Sequence, residues 1–400
     1  MPRGLVFVLA LVFVDTVGFG IVYPPLPALI MQLTGEGLSA AARYGGWLMF
    51  VFALLQFFAA PVLGNLSDRF GRRPILLLSL AGFGLDYLVM GLAPNLTWLF
   101  IGRALAGVFG ATFATASAYV SDITPPEERA RRFGVIGAAW GVGFIVGPAL
   151  GGVLGELGPR VPFFCAAGLA FANAIYGYFV FQESLAPENR RPFTLRRAHP
   201  LGAFHQMRRY PVVIGLLGAL FFYQIAHDAN PSTWNYYTME KFHWTIFEVG
   251  LSMAFVGASF ALVQALMIGP IIQRFGERGA AYLGFSLYVF AYLGLAFATH
   301  GWMVYASIVP FAFGTIANPS IKGIMSAGVP ANAQGELQGA LGSMQGLTAI
   351  GAPLIMTQLF SHYAKPGTAI YFPGAPFLAA GILTFVALVI TGWVLGRQPR

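Results

Sequence analysis

The chain has 400 residues, 57% of them apolar and only 10% charged, with a mean hydropathy of +0.70, so it reads as an integral membrane protein and not as soluble domains. Its 23 Lys and Arg against 15 Asp and Glu leave a net charge of +8, but the basic residues sit in short loops between apolar runs, which excludes nucleic-acid binding. The single cysteine, Cys165, leaves no intramolecular disulfide, no metal-ligand spacing occurs, and neither a Gly-rich nucleotide loop nor a nucleophile-and-base constellation supports an enzyme.

In chain order, the first apolar run covers 5–31, too long for a signal-peptide core and without a cleavage site, so it is expected to remain as a span. Runs over 44–66, 75–93, 97–121, 133–155 and 162–182 follow, and after a polar stretch come 211–236, 246–272, 280–298, 302–325, 336–361 and 375–396. Each is near the ~20 residues that cross ~30 Å of hydrocarbon, and all should be helices, because lipid satisfies no backbone group. The expected fold class is an all-α membrane protein of twelve transmembrane helices in two pseudo-symmetric six-helix halves. The halves are expected at 1–182 and 211–400, with a cytoplasmic linker at 183–210. With the N-terminus inside, seventeen Lys and Arg fall on the cytoplasmic side, and Arg43, Arg160, Lys241 and Lys365 fall outside. That bias places both termini in the cytoplasm of a multi-pass cell (inner) membrane protein.

The halves repeat one another. Gly64 to Arg73 (GNLSDRFGRR) aligns at an offset of 205 with Gly269 to Arg278 (GPIIQRFGER), and the same offset carries Gly137 to Gly342 and Pro148 to Pro353. Parallel six-span repeats with a site near the midplane are one arrangement of secondary transporters.

Inside the spans, charges are scarce: Asp15, Asp86, Arg103 and Asp228. A charge at mid-bilayer costs roughly 2.5–3.5 kcal/mol, so each should face a cavity or a partner, and function is the default reading. Asp15 lies mid-span below Gly18 and Gly20, and reads as a proton- or cation-binding group or as a hydrogen-bonded structural aspartate. Asp86 and Arg103 each lie roughly 10 Å below the outer ends of adjacent helices, so they can pair, structurally or functionally. Asp228 follows His227 and precedes Asn230 and Pro231, where a proline bends the helix and opens polar groups to a cavity; a place near the outer interface is the alternative. His227 reads as a satisfied or interfacial histidine. Tyr23, Trp234, Tyr236 and Gln264 are candidate cavity residues, while Trp47, Trp98, Trp302 and Trp393 near span ends read as interface anchors.

The loop from Gly64 to Pro74 reads as a cytoplasmic gate. Gly64 and Gly71 would permit close approach and a tight turn, Arg69, Arg72 and Arg73 would anchor at the inner face, and Asp68 would accept from a helix N-terminus across the interface of the halves. The run Glu127, Glu128, Arg129, Arg131, Arg132 is either its partner or a solvated turn. Gly134, Gly143, Gly147, Pro148, Gly151 and Gly152, spaced G-x8-G-x3-GP-x2-GG, would let helices approach and bend.

These motifs resemble the major facilitator superfamily and, within it, the tetracycline efflux group of drug/proton antiporters. The resemblance rests on Leu11 to Pro27 (LVFVDTVGFGIVYPPLP), on Gly64 to Pro74 and on Leu99, Arg103, Gly107 and Gly110, with Ala106 where glutamine is usual. It rests further on the glycine series associated with exporters, on Pro231 to Trp234 and on Val263 to Ala265. Phe260 stands where that group carries a histidine and Tyr288 where it carries an acid. The resemblance implies that Arg103 is a coupling residue, that the glycine series closes the route back in, and that a proton gradient drives transport with no cofactor. The expected function is proton-coupled export of amphiphilic small molecules or drugs, tetracycline-like efflux, by alternating access, with protons, a small-molecule substrate and the bilayer as partners of a monomer. A metabolite uniporter or symporter, or a receptor on a degenerate transporter fold, are the alternatives.

Overall fold

The computed structural model describes residues 3–110, 112–193, 209–330 and 333–397, and among these the regular structure is helical. Most of the expected linker, 194–208, and Arg400 lie outside the described residues. The helices are α1 (Arg3–Val22), α2 (Leu26–Thr34), α3 (Leu38–Phe70), α4 (Arg72–Leu92), α5 (Leu96–Phe109), α6 (Thr112–Ile123), α7 (Arg129–Glu156) and α8 (Val161–Val180) in the first part of the chain. They continue as α9 (Pro211–His227), α10 (Ala229–Phe242), α11 (Ile246–Leu266), α12 (Ile268–Phe297), α13 (Gly301–Gly314), α14 (Ala317–Ala327), α15 (Gln334–Tyr363) and α16 (Ala375–Gly396). Eleven described stretches are long and apolar enough to cross a membrane; the twelfth expected span is α15, 30 residues long, its apolar character diluted by Gly, Gln and Ser.

Four spans are broken in two, at α1/α2, α5/α6, α9/α10 and α13/α14. The breaks obey the sequence repeat: Tyr23 plus 205 is Asp228, and Gly110 plus 205 is Thr315. Proline explains three of them. Pro24 and Pro25 lack N–H groups at the first, and Pro231 and Pro319 cannot donate to the carbonyls of His227 and Thr315, four residues back. The fourth turns at Gly110, where Gln56 Nε2 donates to the Gly110 carbonyl at 3.0 Å. The continuous expected span 5–31 is thus corrected to two helices. The expected start at 280 moves back to a turn at Gly276, where φ is +68 and α12 changes course. Its repeat mate Gly71 has φ +105, and only glycine adopts either conformation without strain.

The chain forms two compact units: Met1–Glu36, Val51–His199 and Thr245–Gly257 in one, and Gly37–Phe50, Pro200–Trp244 and Ala258–Arg400 in the other. In the first unit, Leu5, Val8, Leu11 and Val12 of α1 pack with Leu76 and Leu80 of α4 and Ala116 and Val120 of α6. The opposite face of α1 meets α7 backbone to backbone. A Cβ on Gly147 would lie 2.8 Å from the Gly20 Cα, and one on Gly143 2.8 Å from the Thr16 Cβ. One on Gly151 would strike the Ile21 carbonyl, and Pro148 packs onto Gly20. Gly152 and Gly155 face Phe247 and Ile246 at the start of α11. In the second unit, Tyr236 fills the groove that Gly45 leaves open, and Gly46 meets Thr357 and Leu354 of α15. Gly250 packs on Pro148 and Gly152 in the first unit. Two glycines depart from expectation: Gly64 and Gly134 have nothing within 4 Å of a Cβ position, because each lies on an open helix face, so close approach does not require them.

Overpacking a backbone contact costs about 1–3 kcal/mol or more. Gly147→Val is therefore expected to lower the midpoint of thermal unfolding by several degrees, whereas Gly137→Ala, with open space around it, should leave it within about 2 °C. Thermal unfolding of the purified variants in detergent checks the contrast.

Candidate functional site

The first unit encloses a cavity of about 260 Å³ lined by Val12, Asp15, Thr16, Phe19, Phe52, Gln56, Phe83, Tyr87, Gly110, Thr112 and Trp140. Val12, Asp15, Thr16 and Phe19 are spaced i, i+3, i+4, i+7, so one stripe of α1 faces it. The Thr16 hydroxyl donates to the Val12 carbonyl at 2.7 Å, which withdraws it from the cavity. Gln56 of α3 reaches the α5/α6 break, and Trp140 of α7 stacks on Phe144 with ring centroids 5.3 Å apart. Among the described residues Asp15 has no ion pair and no hydrogen bond. A lone carboxylate among aromatic faces suits a proton or an organic cation, since either removes the cost of a buried unpaired charge.

The second acid of this unit is paired. Arg103 Nη2 of α5 donates to Asp86 Oδ2 of α4, with Asp86 0% and Arg103 11% exposed. Gly102 makes the approach possible, because a Cβ there would lie 2.8 Å from Asp86 Oδ1. The Arg103 guanidinium also lies over Phe52, 5.7 Å from the ring centroid. Phe52 and Tyr87, the neighbour of Asp86, both line the cavity, so the ion pair supports its wall. Asp86 Oδ1 and Arg103 Nε are buried without a hydrogen-bond partner, which leaves the pair incompletely satisfied.

At the α3-to-α4 turn of the same unit, Arg72 Nη1 donates to Asp68 Oδ1 at 2.5 Å and to Ser67 Oγ at 3.1 Å, and Arg72 Nε to Asp122 Oδ2 at 3.0 Å. Asp68 was expected to accept from a helix N-terminus; its partner here is Arg72, which the α3-to-α4 turn brings round onto it. The helix N-terminus has a different acid. Glu183 accepts from the backbone N–H of Arg72 at 2.8 Å and of Arg73 at 3.1 Å, and a Cβ on Gly71 would collide with its carboxylate. Ser184 Oγ donates to Asp122 Oδ2 at 2.9 Å, and the Arg191 N–H to the Asp68 carbonyl at 3.1 Å. The start of the expected linker is therefore tied to the loop at 64–74. Arg73 Nη2 donates to the Tyr178 carbonyl at 2.6 Å, and Arg69 lies over the Phe70 ring at 5.0 Å. The run at 127–132 is occupied locally: Arg132 pairs with Glu128 at 2.8 Å, and Arg129 donates to the carbonyls of Thr124 and Ser121.

In the second unit, Asp228 sits at the α9/α10 break, where Gln224 Nε2 donates to its Oδ1 at 3.3 Å. Trp234, 1% exposed, meets Phe377 edge-on, and Tyr236, 3% exposed, fills the Gly45 groove. Both are packing residues of this unit, contrary to the expectation of a cavity lining. Gln264 is exposed on α11, and Tyr23, in the first unit, lies at the α1/α2 break near Phe19. Phe260 and Tyr288 join one aromatic cluster around Phe311, with centroids 5.5 and 4.9 Å from it.

The sequence reading did not single out Gln56, Trp140, Asp122 or Glu183. The first two look like ordinary helix residues, and the acids lie at span ends, where charge needs no explanation. The Glu183 spacing of 111 residues from Arg72 has no local signature.

A family model described as the Major Facilitator Superfamily matches residues 8–353 and 228–400. The chain is 40% identical over 387 residues to a tetracycline resistance protein, class C, of Escherichia coli, covering 95% of this chain and 97% of that one. It is 34% identical over 402 residues to the class H protein of Pasteurella multocida, covering 100% and 98%. It is 28% identical over 397 residues to multidrug resistance protein 2 of Bacillus subtilis, covering 96% and 94%. Among solved structures, the nucleoside transporter NupG aligns with a TM-score of 0.78 at 13% identity over the whole of both chains. The human organic anion transporter MFSD10 aligns at 0.70 and 21%, covering 98% of this chain and all of the other. These two likenesses concern the fold alone.

Breaking one partner of a buried ion pair costs about 3–5 kcal/mol, because it strands the other charge, while replacing both by apolar groups is often neutral. Arg103→Met alone should therefore destabilise the protein strongly, and Asp86→Leu combined with Arg103→Met should recover most of the loss. Chemical unfolding of the two variants tests this. Glu183→Ala, which removes an N-terminal cap from α4, should cost about 0.5–2 kcal/mol in the same measurement.

Proposed function

The chain belongs to the major facilitator superfamily, and on that premise we propose that it exports amphiphilic drugs of the tetracycline kind in exchange for protons. The observation that carries this reading is Asp15, an acid without a cation in an aromatic-lined cavity of the first unit. A single carboxylate there cannot hold a proton and a cationic substrate together, since each satisfies the same charge. Occupancy by one therefore releases the other, which is the requirement for exchange. The identity to tetracycline resistance proteins supports the substrate class.

Other residues take roles from their positions. Asp86 and Arg103 hold Tyr87 and Phe52 in the cavity wall, and through that wall Arg103 tunes the coupling. Asp68, Arg69, Gly71, Arg72 and Arg73, with Asp122 and Glu183, act as the cytoplasmic gate, bonded in this structure and released when that side rearranges. Gly143, Gly147, Pro148, Gly151 and Gly152 hold α7 against α1 and the start of α11. The halves 1–182 and 211–400 alternate access to the two sides of the cell membrane, both termini stay in the cytoplasm, and the proton gradient alone supplies the energy to a monomer.

Inside-out vesicles with an acidic lumen should accumulate tetracycline, and collapsing the gradient should abolish uptake. Asp15→Asn should reduce it at least tenfold at equal expression. Uptake that ignores the gradient would make the protein a uniporter, and full uptake by Asp15→Asn would remove Asp15 from the mechanism.

A further inference from the structure

The tetrapeptide Ala-Asn-Pro-Ser occurs twice in the second unit, at 229–232 and 317–320, and both times it opens the second piece of a broken span, α10 and α14. The two copies fold alike. Ser232 Oγ donates to the Asp228 carbonyl at 2.6 Å, and Ser320 Oγ to the Ile316 carbonyl at 2.9 Å. Pro231 and Pro319 withdraw the N–H groups that would otherwise bond the carbonyls of His227 and Thr315. Each break thus offers a backbone oxygen without its helical donor. Tyr223, one turn before the first break, is linked toward the second: its hydroxyl is hydrogen-bonded to that of Tyr288, whose ring packs on Gly314, next to Thr315.

Three side-chain atoms at these breaks are buried with no hydrogen-bond partner: Asp228 Oδ2, Asn230 Nδ2 and Asn318 Oδ1. A buried orphan of this kind costs about 1–3 kcal/mol, and more when charged; two of the three, Asp228 Oδ2 and Asn318 Oδ1, are acceptors, one at each break, and acceptors are what a cation satisfies, whereas Asn230 Nδ2 is a donor and takes no part. Among the described residues no Lys or Arg pairs with Asp228. Lys322, one turn along α14 from Asn318, is not paired with it either. The remaining titratable groups nearby are held by packing and by one another. Tyr288 is hydrogen-bonded to Tyr223 at 3.2 Å, Tyr292 donates to the Ala226 carbonyl at 3.0 Å, and the His227 ring lies along Phe311.

We propose that the two Ala-Asn-Pro-Ser breaks build a site for one small monovalent cation, with Asp228 supplying the charge and Asn318 Oδ1 and the freed carbonyls supplying neutral oxygen. Hard oxygen donors at interrupted helices suit a proton on the carboxylate or an alkali ion beside it, and broken helices of transporters hold coupling ions in this way. The role of the site in transport rests on the exporter reading, but binding does not, so the two fail separately.

The test is thermal unfolding of the purified full-length protein, first against NaCl at fixed pH with choline chloride as control, then against pH at fixed Na⁺. A saturable rise in the midpoint in one arm is expected, and the responsive arm identifies the cation as Na⁺ or H⁺. Asp228→Asn should abolish the Na⁺ response or, in the pH arm, the part of it that survives in Asp15→Asn, and Asn318→Ala should shift the half-saturation of that same part at least tenfold. If Asp228→Asn does not fold, Asn318→Ala decides alone. A parent that responds in neither arm, or responses unchanged in the Asp228 and Asn318 variants, would overturn the proposal.

Discussion

A charge in hydrocarbon must be compensated, and the first unit meets that constraint in two ways, on α1 and on α4. Asp86 has a permanent counter-ion in Arg103, so its charge is a fixed part of the fold. Asp15 has none among the described residues and faces a cavity instead. The fixed pair carries the wall, and the uncompensated acid is left to whatever enters. Were Asp15 paired within the protein as Asp86 is, binding of a proton or a cation would have to break a buried ion pair, at several kcal/mol. On the proposed reading, leaving it free is what keeps exchange reversible.

The backbone follows the same division between fixed and adaptable parts. Where helices must stay together, glycines bring backbones into contact, as Gly147 does with Gly20 and Gly250 with Gly152. Where polar groups must reach the interior of a span, the helix is broken, at positions the internal repeat conserves between the units. Gly71 and Gly276 make the same positive-φ turn in both, yet only Gly71 is overlaid by an acid, Glu183. The repeat therefore preserves the scaffold while the chemistry on it diverges: Asp15 lies in the first unit's cavity, whereas the second unit places its acid at a helix break.

Much of this was legible in the sequence because hydrocarbon makes charges rare and therefore informative. The apolar spans, the weight placed on Asp15, Asp86, Arg103 and Asp228, and the Asp86 and Arg103 pair follow from that scarcity, and the 205-residue repeat from its aligned Gly, Pro, Arg and Phe. The breaks at Asp228 and Thr315 were legible only in part, since Pro231 was noticed and the second Ala-Asn-Pro-Ser was not. What escaped depends on contacts far apart in the chain. Glu183 meets Arg72 across 111 residues, and Gln56 meets Gly110 across 54, with nothing local to mark either. Motif spacing also overreached: Gly64 and Gly134 fit their patterns, yet a Cβ at either would have open space around it, and Trp234 and Tyr236, polar aromatics in an apolar span, are packed in the second unit.

The central claim is that one carboxylate serves proton and drug in turn, and proton release measures it most directly. Purified protein in weakly buffered detergent solution, with a pH-sensitive dye, would be titrated with tetracycline near neutral pH. The account predicts release of up to about one proton per drug bound, and no release from Asp15→Asn. Drug binding to the parent protein with no proton released at any pH between 5 and 9, or equal release from Asp15→Asn, would contradict it.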